Sequence, residues 1–228
     1  MKKVVTNIIY LILIPVILYL GVILYRSKQY NLVSLLIVIL AMIPFFVSFE
    51  KKDIKVEKLV LIAAFTAITT LSRLIFNVIP IFPGFNPVAA IIILIAITFG
   101  KEMGFMVGAL TALISNNYLS HGPWTPFQMF SWGIVGYIGG LFKNILKRYK
   151  VLLLIYGVFG AVLYSLLMDV YSVLSFDNAF NINRFVAFVG LSLPFTITYI
   201  IANFLFLLLF SVLFLERLDR IVGKYEII

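Results

Sequence analysis

Long apolar segments, separated by short charged or proline-rich stretches, leave this chain very few possible folds. The first such segment runs from Val4 to Tyr25 and the last from Phe185 to Leu215. A helix that crosses the ~30 Å hydrocarbon core of a bilayer needs about 20 apolar residues. Strands of a membrane barrel would instead alternate apolar and polar side chains. The sequence therefore predicts an all-α integral membrane protein, and its 63% hydrophobic and 12% charged residues agree with this class.

About eight membrane segments are predicted, two before and six after the densest run of charge, Glu50–Lys58. This run separates an N-terminal transmembrane hairpin, residues 1–50, from a six-helix membrane domain, residues 51–228. The first apolar segment exceeds the ~7–15 residues of a signal-peptide core and no small-residue cleavage site follows it, so we expect it to be retained. The six later segments are Leu59–Ile79, Val88–Phe99, Met103–Ser115, Met129–Phe142, Val151–Leu174 and Phe185–Leu215. The second and third are marginal for a full span, and short segments interrupted by Gly or Pro point to a binding site in transport proteins.

The distribution of basic residues predicts the orientation in a cell membrane. If the N-terminus is cytoplasmic, only Arg26, Lys28 and Arg184 of the 18 Lys and Arg residues lie outside, and Arg73 lies within the membrane. This asymmetry follows the positive-inside rule and explains the net charge of +9 without nucleic acid. We therefore expect both termini in the cytoplasm and the proline-rich and asparagine-rich loops outside.

The stretch from Gly122 to Met129 is unlike its apolar neighbours. Two prolines bracket Trp124, so we expect an extended or turned backbone there and not a helix. Side-chain amides donate and accept hydrogen bonds, and aromatic rings offer flat faces, which together suit an uncharged or mixed-polarity organic compound better than a metal ion. The candidate contacts in and beside this stretch are Asn116, Asn117, His121, Trp124, Thr125 and Gln128. Two simpler roles remain open: Trp124 as an interface anchor, and His121 as an ordinary surface residue.

Two ionisable residues, Arg73 and Asp169, lie inside apolar segments. Both are expected at roughly 8–9 Å below the outer surface, at 1.5 Å per residue. An unpaired charge at that depth is costly, so we predict that the two pair with each other or that one of them meets a ligand. A static salt bridge that only fixes helix order is the alternative.

Small residues four positions apart recur in the sequence, and such faces let helices approach closely in lipid. Three such pairs are Ala63 with Ala67, Gly104 with Gly108, and Gly136 with Gly140. We interpret the glycine pairs as internal packing and the alanine pair as a possible contact for a partner protein.

Catalytic and metal-binding motifs are missing from the sequence. It has no Cys, a single His, no His-Glu-x-x-His, no P-loop and no Gly-x-Ser-x-Gly. We therefore predict no catalytic residue, no metal site and no resident cofactor. Two other functions stay open at this point, a membrane enzyme that uses Asp169 and His121, and a structural scaffold that uses the alanine pair.

From about Lys58 onward the chain resembles the substrate-binding S components of energy-coupling factor (ECF) vitamin transporters. The resemblance rests on six segments after the charged run, the Ala63–Ala67 pair, a proline-rich first outer loop, and Phe-Gly-Lys-Glu-Met-Gly-Phe at 99–105. Ser-Asn-Asn at 115–117 and Gly-Pro-Trp-Thr-Pro-Phe-Gln-Met at 122–129, followed by Trp132, are most similar to the branch associated with cobalamin.

The resemblance implies a binding subunit that takes up a vitamin at its outer face and docks on a transmembrane coupling subunit driven by two ATPase subunits. Family members are thought to topple in the membrane to carry the ligand inward. Ala63 and Ala67 match the motif that faces the coupling subunit, and the first outer loop, Pro80–Pro87, corresponds to a gate over the site. Phe82, Phe85 and Asn86 of this loop, together with Trp132, are further candidate ligand contacts. Cobalamin is the expected ligand, and a folate, a queuosine precursor or heme remains possible. The N-terminal hairpin departs from the usual six segments.

Overall fold

The fold consists of helices joined by short turns and loops in the part of the chain that the computed structural model describes, residues 12, 15, 16, 19, 56–78, 83–177 and 181–225. The helices are α1 Val56–Val78, α2 Val88–Phe99, α3 Lys101–Leu119, α4 Thr125–Leu141, α5 Lys143–Arg148, α6 Lys150–Asp177 and α7 Ile182–Tyr225. No strand occurs among these residues, so the all-α prediction is confirmed. The predicted N-terminal hairpin lies outside them, apart from four isolated positions.

Helix α2 is the centre of the bundle. Its 12 residues are all buried, and it packs against α1, α3, α4, α6 and α7. A helix that is apolar on every side is stable only when other helices surround it. At 1.5 Å per residue it is about 18 Å long, too short to cross a bilayer alone. Gly100, with φ 103°, is the single residue that joins α2 to α3, and this left-handed conformation favours glycine.

Three described helices are long and apolar enough to cross a membrane, namely α1, α6 and residues 182–224 of α7. The predicted last span was expected to end at Leu215, with a charged tail after it. Helix α7 instead continues to Tyr225, because the tail is rich in good helix formers and Leu218 is buried at 4% exposure. Asp219 in this extension also forms a salt bridge with Lys147 on α5, with 2.5 Å between Oδ1 and Nζ.

Helices α3 and α4 approach so closely that their backbones touch at glycines. A Cβ on Gly136 would lie 2.5 Å from the carbonyl oxygen of Gly104, and a Cβ on Gly108 would lie 2.6 Å from that of Trp132. A Cβ on Gly140 would lie 2.3 Å from the Cα of Lys101. Both glycine pairs therefore serve internal packing, as their spacing predicts.

The prediction of a non-helical stretch from Gly122 to Met129 is wrong for most of its length. Helix α3 extends to Leu119 and α4 begins at Thr125, so only residues 120–124 connect them. Pro126 occupies the first turn of α4, where the missing N–H of proline would have no helical partner in any case.

Basic side chains gather at one end of the bundle. Lys101, at the start of α3, donates a 3.1 Å hydrogen bond to Tyr137 near the end of α4. Lys147 on α5 reaches the C-terminal part of α7. The opposite end, where α1 and α3 finish and α4 begins, contains the cavity described next.

Candidate functional site

A cavity of about 190 Å³ lies between the C-terminal half of α1, the loop before α2, the start of α4 and the middle of α6 and α7. It is lined by Arg73, Phe76, Asn77, Gly84, Phe85, Asn86, Ala89, Gln128, Trp132, Ala161, Tyr164, Phe195, Tyr199 and Asn203. Aromatic walls with a few convergent polar groups are typical of sites for small organic ligands. The volume is below the usual ~300–1,000 Å³ of such sites.

Arg73 is the one charged side chain in the lining. Its Nη1 donates to the Ser115 hydroxyl and, at 2.7 Å, to Oδ1 of Asn116, both near the end of α3. Its guanidinium carbon lies 4.8 Å from the ring centroid of Trp132, a cation–π arrangement. Three contacts from two helices therefore hold this cation in place at the cavity wall.

A chain of buried hydrogen bonds continues from Arg73 across the back of the cavity. Arginine can only donate, so Asn116 presents its oxygen to Arg73 and its amide nitrogen to α4. That nitrogen donates to Thr125 Oγ1 at 2.9 Å and to Gln128 Oε1 at 2.8 Å. Gln128 Nε2 then donates to the Tyr164 hydroxyl at 2.8 Å. The charge of Arg73 thus fixes the orientation of both amides along the chain.

Two tyrosines and one tryptophan form the aromatic wall. The rings of Trp132 and Tyr164 stack with centroids 5.6 Å apart and planes 17° from parallel. The ring of Tyr199 meets Tyr164 edge-on at 5.2 Å. Asn203, one turn after Tyr199 on the same face of α7, donates to the Gly157 carbonyl at 3.0 Å. The wall therefore offers a flat, rigid surface between polar groups.

The loop before α2 covers part of the cavity. Gly84 has φ 85°, and a Cβ there would lie 2.7 Å from the Tyr199 ring, so glycine allows the loop to sit against α7. Asn86 stabilises the turn, because its Nδ2 donates to the Gly84 carbonyl at 2.9 Å and its Oδ1 accepts from the Val88 amide at 3.2 Å. Phe85 packs between α1 and α7 and adds to the lining.

A family model described as ECF-type riboflavin transporter, S component, matches residues 53–220. The chain belongs to this family. A search of curated proteins found no match, and a search of solved structures found none either. Membership makes the protein a membrane-embedded, substrate-binding subunit of a vitamin transporter and not an enzyme, and it works together with an ECF module.

Apart from Asp169, the residues predicted for ligand binding in this S component fall into four groups. Those that line the cavity are Arg73, Phe85, Asn86, Gln128 and Trp132. Asn116 and Thr125 lie behind the lining and hold it through hydrogen bonds. Outside the lining are Asn117 and His121, which are exposed, and the half-buried Trp124. Phe82 lies outside the described residues.

Asp169 does not form the predicted ion pair with Arg73. It is only 5% exposed, and its Oδ2 accepts a 2.8 Å hydrogen bond from Ser192 on α7. The reason is helix order: α1 packs mainly against α2 and α3, whereas α6 packs mainly against α4 and α7. Equal depth in the membrane therefore did not place the two residues on neighbouring helices.

Sequence reasoning missed several lining residues of the S component, chiefly Tyr164, Tyr199 and Asn203. A signal for two of them was available, because Tyr199 and Asn203 are four positions apart and share one face of an otherwise apolar helix. Tyr164 had no comparable signal, since tyrosine also anchors helices at membrane interfaces. Within the described ranges, no three His, Asp or Glu side chains come close enough together to hold a metal ion.

Proposed function

We propose that this S component binds a vitamin or vitamin precursor with a flat conjugated ring in the cavity beside Arg73 and Trp132. The observation that supports this most directly is the layered arrangement of Arg73, Trp132 and Tyr164 along one wall. A conjugated ring stacks well on such a wall, and Gln128 at its edge is already oriented by the hydrogen-bond chain. Groups held in advance lose little freedom on binding, which favours high affinity.

Cobalamin or a related corrinoid is our first candidate ligand, because the stretch from Gly122 to Met129 resembles that branch of the family. Riboflavin is the second candidate, because it is the vitamin in the name of the matching family model. The cavity of about 190 Å³ is small for either compound. The loop of residues 83–87 is therefore expected to move outward when the ligand enters.

The absorption spectrum of the purified protein tests both candidates. We would express the chain with cobalamin and riboflavin in the medium, purify it in mild detergent, and record the spectrum of the bound compound. Corrinoids and flavins are both coloured and have different spectra, so one measurement separates them. A colourless preparation that also shows no calorimetric binding to either compound would rule out both vitamins.

The two tryptophans of the chain provide matched variants for this experiment. Trp132→Leu removes a ring from the cavity lining and is expected to abolish the absorbance of copurified ligand. Trp124→Leu removes a ring outside the lining, and this variant should retain the absorbance. Equal loss in both variants would contradict the placement of the ligand against Trp132.

We further propose that Ala63 and Ala67 contact the transmembrane coupling subunit of an ATP-driven importer. Both side chains are exposed and line a groove of about 580 Å³ between α1 and α3. The groove also includes Thr66, Thr70, Leu71, Leu74, Leu110, Ile114 and Tyr118. Small residues on an exposed helix face allow a partner helix to approach closely in lipid. The basic end of the bundle would then face the cytoplasm, where the two ATPase subunits bind.

A further inference from the structure

The guanidinium of Arg73 has one edge without a hydrogen-bond partner among the described residues. An arginine has five N–H donors, and both bonds that Arg73 makes use Nη1. The donors of Nε and Nη2 are left over on a side chain that lines the cavity. These two nitrogens form the edge that pairs with a carboxylate or phosphate through two parallel hydrogen bonds.

No carboxylate of the described chain neutralises Arg73. The described salt bridges are Lys147 with Asp219 and Arg184 with Asp177, and the buried Asp169 is bound to Ser192. The short stretches between the described ranges, residues 79–82 and 178–180, contain no Asp or Glu in the sequence. Of the other acidic residues in the described ranges, Glu57, Glu102 and Glu216 do not line the cavity.

We propose that the ligand of this S component carries a carboxylate or phosphate group that pairs with the free edge of Arg73. The inference rests on the proposed function, because it assigns the charge of the ligand for the same cavity. A cation inside a membrane bundle is costly without a counter-charge, and among the described residues Arg73 is stabilised by neutral acceptors and the Trp132 ring. An anionic ligand would supply that counter-charge, and a cationic one would be repelled.

This inference separates closely related compounds. Cobalamin contains a phosphodiester and cobinamide lacks it, while riboflavin is uncharged and its 5′-phosphate is anionic. Hydrogen bonds to a charged partner are stronger than neutral ones, so we expect the phosphate-bearing member of a pair to bind about 10- to 100-fold more tightly. The preference should depend on Arg73.

The test is calorimetric titration of the full-length protein in detergent with both pairs: cobalamin and cobinamide, riboflavin and riboflavin 5′-phosphate. In Arg73→Gln the preference for the phosphate-bearing member should disappear. In Arg73→Lys, which keeps the charge without the two parallel N–H donors, the preference should be reduced. Arg184→Gln is the matched control, because Arg184 pairs with Asp177 outside the lining, and its preference should equal that of the wild type. Thermal unfolding of each variant without ligand separates loss of folding from loss of binding.

Each outcome decides between the alternatives. Equal affinity within the pair that binds, or a preference that survives in a folded Arg73→Gln protein, overturns the anionic-ligand inference and leaves the proposed function intact. If cobinamide and riboflavin bind and the two phosphate-bearing compounds do not, the inference is also wrong. If none of the four compounds binds, both the inference and the two candidate vitamins are rejected together.

Discussion

At the scale of single residues, Asn116 shows how one side chain can connect several helices. Its oxygen accepts from Arg73 on α1, and its nitrogen donates to Thr125 and Gln128 on α4. In the sequence Asn116 and Asn117 are equivalent candidates. In the structure Asn116 is buried, whereas Asn117 is exposed and its amide returns to the Leu113 carbonyl of its own helix. One residue corresponds to about 100° of rotation around a helix, and this rotation separates the two roles.

We predict that Asn116→Ala destabilises the protein by about 1–3 kcal/mol, because the half-buried Arg73 and the buried Thr125 and Gln128 each lose one hydrogen bond at once. Vitamin binding should weaken as well, since Arg73 and Gln128 are no longer held in position. Asn117→Ala, one position away with the same chemical change, should leave both properties unaltered. Thermal unfolding and calorimetric binding in detergent measure the two effects, and equal behaviour of the two variants would contradict the role of Asn116.

At the scale of helices, the contact between α3 and α4 positions the site. Its glycines bring the two backbones together along the helices, and this contact places the start of α4, with Gln128, beside the end of α3, with Asn116. Larger side chains at those positions would separate the helices and break the hydrogen bond between Asn116 and Gln128.

Gly136→Ala is predicted to lower the free energy of unfolding by about 1–3 kcal/mol, because the new methyl group would overlap the Gly104 carbonyl and the Ile92 side chain. The matched substitution Gly190→Ala in α7 has no atom within 4 Å of the new Cβ and should be neutral or stabilising by up to about 1 kcal/mol. Denaturation in detergent, followed by circular dichroism, measures both variants. A Gly136→Ala protein as stable as the wild type would mean that α3 and α4 can adjust without loss.

At the scale of the whole molecule, the binding cavity and the proposed partner groove lie on different surfaces of the bundle. Helix α1 contributes to both, with Arg73 and Phe76 directed to the cavity and Ala63 and Ala67 to the groove. The two functions are therefore expected to respond separately to mutation, even though they share one helix.

Ala63→Leu combined with Ala67→Leu should reduce recovery of the coupling subunit and its ATPases in a pull-down, because the larger side chains fill the groove. Vitamin binding to the isolated subunit should stay within about twofold of the wild type, a change below ~0.5 kcal/mol. Ala64→Leu is the control, since Ala64 is exposed on the same helix and does not line the groove. Undiminished recovery of the partner subunits by the double variant would show that they bind elsewhere.

The sequence alone determined the class of this protein. The length and apolarity of its segments require helices in a membrane, since backbone groups in a bilayer pair only within helices or closed barrels, and barrel strands would alternate apolar and polar side chains. The sequence contains motifs of the S-component family and lacks catalytic motifs, which together indicate a transporter subunit. The family match confirms this. These conclusions depend on composition and local spacing, which need no knowledge of how helices are arranged.

Only the tertiary structure decided which polar residues meet. In the structure Arg73 donates to Asn116 and does not contact Asp169. The cavity lining includes Tyr164 and Tyr199, and it does not include Asn117, His121 or Trp124. Helix neighbours and rotational phase determine such contacts, and both arise from packing between segments distant in sequence. An apolar segment indicates that a helix will be buried in lipid or protein. Which helix becomes its neighbour depends on side-chain packing, such as the close approach of Gly136 to Gly104.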